Sequence, residues 1–128
     1  RYFTFTQPSG YDMSAVGTAI TLTKGNETID IIYDTEKSVD DKSADIGEVI
    51  SSLKEQGFNP EVNSETKTLC GEDAKFTEIK VSANGKEAFI VSALFEKNGV
   101  TYACTYKTSK AGANTGDFES IVNSISFR

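Results

Sequence analysis

The sequence predicts an α+β domain in which one antiparallel sheet carries helices on both faces. The first observation is a run at residues 88–95 that is apolar on both alternating faces. A strand of this kind has to be covered on both sides, which places it in the middle of a sheet. The second observation is a pair of amphipathic helical patterns at two separate points in the chain, so that each helix can cover a different face.

The chain has 128 residues, which is the length of one ordinary domain, and we interpret residues 1–128 as a single domain. The net charge is −6 and the sequence has no basic cluster, which disfavours nucleic acids and anionic membrane surfaces as partners. No apolar segment approaches the ~20 residues that a membrane-spanning helix requires.

Histidine is absent from the chain, and there are two cysteines, Cys70 and Cys104. Ser-His and Cys-His nucleophile pairs are therefore impossible within this chain. The usual general base near neutral pH and the commonest transition-metal ligand are missing for the same reason. Two cysteines cannot complete a structural zinc site, which takes four Cys or His ligands. We therefore predict a protein that is not an enzyme, with no catalytic, metal-binding or cofactor-binding residues.

The first quarter of the chain predicts three strands. Residues 2–6 alternate between aromatic and polar side chains, which is typical of a short strand. Residues 18–23 and 28–33 are two further strands, joined by a tight turn at Gly25-Asn26 that tolerates positive φ angles. On the last of these strands one face carries Ile29, Ile31 and Tyr33.

A helix is predicted after a polar, acidic loop at residues 34–42. Ser43 is a good N-cap, and Asp45 lies in the first turn, where the helix dipole favours an acid. Gly57 is placed as the left-handed residue that follows the helix. The apolar stripe predicted to face the sheet consists of Ile46, Val49, Ile50 and Leu53.

The second half of the chain predicts a three-strand meander and a closing helix. Residues 66–69 form a short strand or an extended lead-in, and residues 73–81 form a strand that ends at the turn signal Asn84-Gly85. The central hairpin of residues 86–108 follows. After a small-residue loop at residues 109–116, a second helix begins at Asp117. Its inward side chains are predicted to be Phe118, Ile121, Val122 and Ile125.

This order of elements resembles the PsbP/Mog1-like superfamily across nearly the whole chain. The resemblance rests on an aromatic strand running into Pro8-x-Gly10, on the hairpin, the capped helix and the meander, and on the ending at residues 121–127. Tyr11 occupies a position that often holds Trp in the superfamily. The resemblance implies an α/β/α sandwich and a largely non-catalytic group that includes photosystem extrinsic subunits, a Ran-binding protein and many bacterial lipoproteins. It implies no site residue.

Turn positions predict the register of the central strands. If Asn98-Gly99 is a two-residue hairpin loop, Cys104 faces Ala93. If Asn84-Gly85 closes the preceding hairpin in the same way, Ala93 faces Phe76 on its other side.

This register separates the two cysteines. Cys70 lies six residues from Phe76, about 20 Å along a strand, whereas a disulfide needs Cα atoms within about 7 Å of each other. We therefore expect Cys70 and Cys104 to be buried free thiols. A disulfide remains the alternative if Cys70 lies in a loop that folds back.

Two patterns imitate known sites. Residues 34–45 superficially follow a calcium loop, but such a loop needs Gly at position six and a bidentate Glu at position twelve, where this chain has Val39 and Asp45. We expect a solvated loop there. Three short segments echo the motifs of penicillin-binding proteins, with Ser51 in the place of the nucleophile. Because Ser51 falls in the second half of the predicted helix, we interpret this echo as chance.

Three tyrosines, Tyr33, Tyr102 and Tyr106, are candidates for a stacking platform that binds a ligand. Tyr102 and Tyr106 alternate with small residues on the second strand of the central hairpin. They share a strand face with Cys104, so we interpret them as packing residues beneath a helix.

The composition favours a location outside the cytoplasm, with a soluble cytoplasmic protein as the alternative. Lysine far outnumbers arginine, which occurs at Arg1 and Arg128 alone, and Ser, Thr and Asn are abundant. The chain begins at Arg1 instead of Met, and we expect it to be a trimmed fragment. A lipid anchor upstream is one way in which it would be held at the cell surface.

The first functional hypothesis is a non-catalytic, surface-associated or secreted bacterial domain that binds a protein or cell-envelope component. The second is a small hydrolase that uses a pair of carboxylates. The third is a structural or assembly subunit of a membrane-associated complex. The carboxylates available for the second hypothesis are Glu72, Asp73, Glu78 and Glu87.

Overall fold

A computed structural model describes residues 3–7, 9–83, 85–109 and 115–127. In this part of the chain nine strands and two helices follow one another. They are β1 Phe3–Thr4, β2 Asp12–Val16, β3 Ala19–Lys24, β4 Glu27–Asp34, α1 Val39–Glu55, β5 Glu61–Leu69, β6 Glu72–Ala83, β7 Lys86–Lys97, β8 Val100–Thr108, α2 Thr115–Asn123 and β9 Ser126–Phe127.

Seven strands form one antiparallel sheet in the order β2-β3-β4-β8-β7-β6-β5. The central hairpin, β7–β8, lies in the middle of this sheet, as its two-faced apolar strand predicts. The remaining two strands, β1 and β9, pair with each other, and Phe3 lies opposite Phe127. Residues 3–4 and 126–127 therefore form a small second sheet.

The predicted register of the central strands is confirmed. Ala93 pairs with Cys104 on β8 and with Phe76 on β6. The β7–β8 turn has φ angles of 54° at Asn98 and 78° at Gly99, both in the left-handed region that a two-residue hairpin turn of this kind requires. Asn84, the first residue of the other predicted turn, lies outside the described residues.

The hydrophobic core lies on one face of the sheet, which we call the core face. Alternate residues of β8, such as Tyr102 and Cys104, point to this face and are buried. α2 and the small β1–β9 sheet supply the residues that pack against it. From α2 these are Phe118, Ile121 and Val122, as predicted.

The predicted fold class, a sheet with helices on both faces forming an α/β/α sandwich, is wrong. Strands make up 54% of the structure and helices 22%, so the protein is mostly β. The two helices have 17 and 9 residues, too few to form a layer over seven strands. The physical reason is that the sheet extends well beyond its apolar centre, and the exposed outer strands β2 and β5 require no covering helix.

The start of α1 differs from the prediction. The N-cap is Ser38 and not Ser43, and the helix begins inside the expected acidic loop. The Oγ of Ser38 accepts from the Asp41 N–H at 3.1 Å, while the Asp41 carboxylate accepts from the Ser38 N–H at 2.9 Å. This reciprocal capping box satisfies two backbone donors that the helix itself leaves without partners.

The end of α1 is confirmed. Gly57 follows the helix with a φ of 91° and donates to the Lys54 carbonyl, and the next residue, Phe58, donates to the Leu53 carbonyl. These two bonds are those of a Schellman motif, which glycine completes without strain.

The apolar stripe of α1 is less buried than predicted. Val49 is 47% exposed, and none of the seventeen residues of α1, all of them described, is fully buried. Two ion pairs hold α1 against the sheet, one between Lys42 and Asp34 at 3.4 Å and one between Asp40 and Lys75 at 3.3 Å. The first pair is partly buried, and the second is solvent-exposed and contributes little to stability. Because α2 buries three apolar side chains and α1 buries none fully, α1 is the less firmly held of the two helices.

Both cysteines are free, as predicted. Cys104 is buried in the core. Cys70 is half-buried and occupies the turn between β5 and β6, where its φ of 46° is unusual for a residue with a side chain. Gly71 follows it with a φ of 81°, so the pair forms the β5–β6 hairpin turn.

Candidate functional site

The carboxylates that the sequence offers for acid–base chemistry do not converge. Glu72 and Glu78 lie on the same face of β6 but six residues apart, about 20 Å at strand rise. Asp73 points to the opposite face of β6. A carboxylate pair in a glycosidase stands within about 10 Å, so these three side chains lack the geometry for that chemistry.

The fourth candidate is equally isolated. Glu87 on β7 lies opposite Ser82, four residues from the position that pairs with Glu78, which is about 13 Å along the strand. Glu72 is bound in an ion pair with Lys97 at 3.3 Å. This contact attaches the start of β6 to the end of β7 and gives Glu72 a structural role.

The acidic segment before α1 uses its oxygens within the chain. Asp34 Oδ1 accepts the N–H groups of Glu36 and Lys37 at 2.8 and 3.2 Å, and Asp34 Oδ2 faces Lys42. These contacts hold the pKa of Asp34 below its ordinary value, and the hydrogen bond from the Glu36 N–H has the largest effect. Across the described ranges, no group of three His, Cys, Asp or Glu side chains is arranged to hold a metal ion.

The interpretation of the tyrosines as packing residues is confirmed for Tyr102 and Tyr106, which are 1% and 0% exposed. The ring of Tyr102 stacks on Phe95 with centroids 5.1 Å apart and meets Phe3 edge-on at 5.4 Å. Rings enclosed in this way offer no platform to a ligand.

A cluster of tyrosines and carboxylates lies where β8 ends and α2 begins. Tyr106 donates its hydroxyl to Glu27 at 2.5 Å, and Tyr11 donates to Asp117 Oδ2 at 3.3 Å. Burial raises the pKa of Tyr11 to about 12, with the negative charges of Glu27 and Asp117 adding to the effect. Burial, followed by the Glu27 contact, also raises the pKa of Tyr106. Both phenols therefore stay protonated and act as hydrogen-bond donors.

Tyr11 joins this buried cluster to the exposed edge of the sheet, because it is the residue immediately before β2. Tyr11 is 5% exposed, and the centroid of its ring lies 5.4 Å from the Lys24 ammonium. The contacts of Tyr11 with Asp117 and Lys24 hold the start of β2 in place. The first residues of β2 are therefore anchored to the rest of the fold through Tyr11.

All five residues of β2 are exposed. Met13 is 47% exposed and Val16 is 78% exposed, and both are apolar. β2 is the terminal strand of the seven-stranded sheet, with β3 as its neighbour in the sheet. An exposed terminal strand with apolar side chains is the type of edge to which another strand adds.

The register identifies which backbone groups of β2 face outward. Val16 pairs with Ala19 across the two-residue turn, so this pair exchanges hydrogen bonds, and the pattern then alternates along the strand. Val16 and Ser14 thus point their N–H and C=O groups at β3. The corresponding groups of Met13 and Ala15 point away from the sheet, giving two donors and two acceptors for an added strand.

The opposite edge, β5, is built differently. It carries three charged residues, Glu61, Glu65 and Lys67, whereas Asp12 is the one charged residue of β2. The Lys67 ammonium binds Glu119 of α2 at 2.9 Å and lies over the ring of Phe76 at 4.2 Å. The hydrogen bond that Lys67 donates to the Glu119 carboxylate raises the pKa of Lys67. Charged side chains along an edge discourage strand addition, so β5 is protected where β2 is not.

β2 is absent from the strands that the sequence predicts. The signal was present, because Gly17 and Thr18 form a two-residue turn between β2 and β3, and Gly17 has a φ of 59°. In β2, Met13 and Ala15 alternate with polar residues over four positions before Val16 breaks the alternation, which is a short pattern for recognising a strand. The strand predicted at residues 18–23 begins one residue later, at Ala19.

The fold has a counterpart among solved structures. A crystal structure from Bacteroides thetaiotaomicron VPI-5482 is similar over 99% of this chain, with a TM-score of 0.69 and 13% sequence identity. This chain spans 45% of the length of that protein. At this level of identity the likeness concerns the fold alone.

A second structure, the protein of unknown function PA94 from Pseudomonas aeruginosa, gives a TM-score of 0.45 at 9% identity, over 80% of this chain and 85% of that one. That likeness is too low to carry an argument. No protein-family model matches the sequence, and no curated protein matches it either. The resemblance to the PsbP/Mog1-like superfamily therefore stays a prediction.

Proposed function

We propose that the chain is a non-catalytic domain of a surface-associated or secreted bacterial protein, and that it binds a protein or cell-envelope component through the edge of β2. The observation that carries this proposal is the exposed edge itself, with Met13 and Val16 uncovered and no charge on the last four residues of the strand. Edges of this kind are normally blocked by charges, prolines or a covering element.

The backbone of β2 supports binding by strand addition. Met13 and Ala15 each present one N–H and one C=O to the outside, as the pairing of Val16 with Ala19 requires. Four such hydrogen bonds contribute about 0.5–1.5 kcal/mol each when a partner strand satisfies them. The apolar side chains of Met13 and Val16 add the burial that an extended partner needs for affinity.

The location outside the cytoplasm is part of the proposal. It rests on the predominance of lysine over arginine and on the likeness of the sequence to a superfamily that contains many bacterial lipoproteins. Neither helix in the described part of the chain is long and apolar enough to cross a membrane. In the proposal, attachment to the cell surface comes from outside residues 1–128.

The experiment is affinity capture from a cell-envelope extract of the organism that encodes the chain, using three immobilised proteins. These are the wild type, Ala15→Pro, which removes an outward N–H of β2, and Thr66→Pro. Thr66 is the matched control, because its backbone groups face outward from the other edge strand, β5.

We expect a discrete set of proteins to bind the wild type and Thr66→Pro and to be lost with Ala15→Pro. Circular dichroism and thermal melting would verify that all three proteins are folded. Equal capture by all three proteins would show that β2 is not the binding element and would overturn the proposal.

A further inference from the structure

We propose that the strand added to β2 is an extended, basic peptide segment of another protein, which places a Lys or Arg opposite Asp12 and apolar residues opposite Met13 and Val16. This inference rests on the proposed function and specifies the chemistry of the partner.

The backbone limits the partner to an extended segment. The outward groups belong to Met13 and Ala15, two residues apart, which is the spacing at which one β-strand bonds to another. A helix has no free donors and acceptors in its interior to satisfy these groups. The partner therefore pairs with β2 as an eighth strand of the sheet.

The two faces of β2 require different side chains from an added strand. Asp12, Ser14 and Val16 point to one face, and Met13 and Ala15 point to the core face. A residue directly opposite on an added strand points to the same face as its neighbour. The partner thus needs apolar residues opposite Met13 and Ala15 on the core face, and an apolar, preferably β-branched residue opposite Val16 on the other.

Val16 is the exposed end of an apolar row that crosses the sheet. It pairs with Ala19 on β3, Ala19 pairs with Ile32 on β4, and Ile32 pairs with Ala103 on β8. An added strand with Val or Ile opposite Val16 continues this row by one position. The added strand then covers the side chain of Val16, and this burial of apolar surface favours binding.

Charge distinguishes a basic partner from a second copy of this chain. The chain carries a net charge of −6, so two copies repel each other, and a basic segment is attracted. On the face that holds Val16, the charged side chain of β2 is Asp12, and β3 adds none, because Lys24 points to the core face. A Lys or Arg opposite Asp12 forms a cross-strand ion pair, whereas an acid there meets a like charge.

The probe is a fluorescein-labelled peptide containing Val-Ile-Thr-Ile-Lys, which runs antiparallel to β2 with its Val opposite Val16 and its Lys opposite Asp12. A second peptide carries Glu in place of Lys. Binding is measured by fluorescence anisotropy with the wild type, Ala15→Pro, Asp12→Lys and the control Thr66→Pro. Asp12→Lys leaves the backbone untouched, so it tests the proposal even if a proline variant fails to fold.

We expect the Lys peptide to bind the wild type and Thr66→Pro saturably and Ala15→Pro about ten-fold more weakly, as the loss of one hydrogen bond implies. Asp12→Lys should weaken the Lys peptide about three-fold and strengthen the Glu peptide by a similar factor. Equal binding of the Lys and Glu peptides by the wild type would overturn the inference. So would a wild-type dimer in analytical ultracentrifugation that Ala15→Pro abolishes, because β2 would then be occupied by a second copy.

The two proposals fail in different ways. If Ala15→Pro abolishes capture from the envelope extract but the peptides show no charge preference, the proposed function stands and the basic partner is wrong. If Ala15→Pro changes neither capture nor peptide binding, both are wrong.

Discussion

The hydroxyl of Tyr11 donates to Asp117 Oδ2 at 3.3 Å, and this bond joins two residues that are 106 positions apart in the sequence. Tyr11 precedes the edge strand β2, and Asp117 lies in the first turn of α2. The bond therefore connects the exposed edge of the sheet to the helix that covers its core face. It gives the proposed binding strand a rigid support at one end.

This connection is measurable by a double-mutant cycle. Tyr11→Phe removes the hydroxyl, and Asp117→Asn weakens the acceptor by removing its charge. We expect each variant to lower the free energy of unfolding by about 1 kcal/mol and the double variant to lose less than the sum, since both changes act on the same bond. Urea denaturation supplies the values. Strictly additive losses would mean that the two side chains do not interact.

The raised pKa of Tyr11 predicts that the folded protein loses stability at high pH. Its pKa in the folded protein is about 12, compared with an ordinary value of 10.0. Since the folded pKa is raised, the stabilisation is fully present below pH 10 and is lost as the pH rises through 12. The free energy of unfolding of the wild type should fall more steeply between pH 10 and 12 than that of Tyr11→Phe. Parallel curves for the two proteins would contradict this account.

The N-cap of α1 gives a prediction with a matched control in the same helix. Ser38→Ala removes the side chain that caps the Asp41 N–H, and we expect a loss of about 1 kcal/mol. Ser43→Ala lies within the helix and should change stability by less than about 0.5 kcal/mol. Chemical denaturation of both variants makes the comparison. A larger loss from Ser43→Ala would restore the later helix start that the sequence indicates.

The two thiols should differ from each other in reactivity and remain unbridged. Burial raises the pKa of Cys70 to about 11, and complete burial raises that of Cys104 as well. Iodoacetamide at pH 8 should therefore modify Cys70 slowly and leave Cys104 intact, while both react after unfolding. Mass spectrometry of the labelled peptides distinguishes the two sites. A native mass two hydrogens below that of the dithiol form would reveal a disulfide and contradict the structure.

Local sequence chemistry predicted the centre of the fold correctly. The turn residues Asn98-Gly99 determine which residues of β7 and β8 face each other, and the pairing of Ala93 with Cys104 follows from them. Gly57 predicted the end of α1 for a similar reason, since glycine adopts the left-handed conformation without strain. In these places the conformation depends on one or two residues.

Three features of the fold differ from the sequence prediction, and each has its own physical reason. Ser38 and Ser43 are both suitable N-caps, and the capping box with Asp41 decides between them. The helices were expected to form layers because their apolar stripes resemble buried faces, yet Val49 remains 47% exposed. β2 escaped detection because its alternation of polar and apolar residues runs over four positions only, from Asp12 to Ala15.

Amide hydrogen exchange of β2 tests most directly the claim that its outer edge is open for a partner strand. In the free protein, the N–H groups of Met13 and Ala15 should exchange rapidly, and those of Ser14 and Val16, which bond to β3, should be protected. The basic peptide should then slow the exchange of Met13 and Ala15 alone. Protection of Met13 and Ala15 equal to that of Ser14 and Val16 in the free protein would contradict the account.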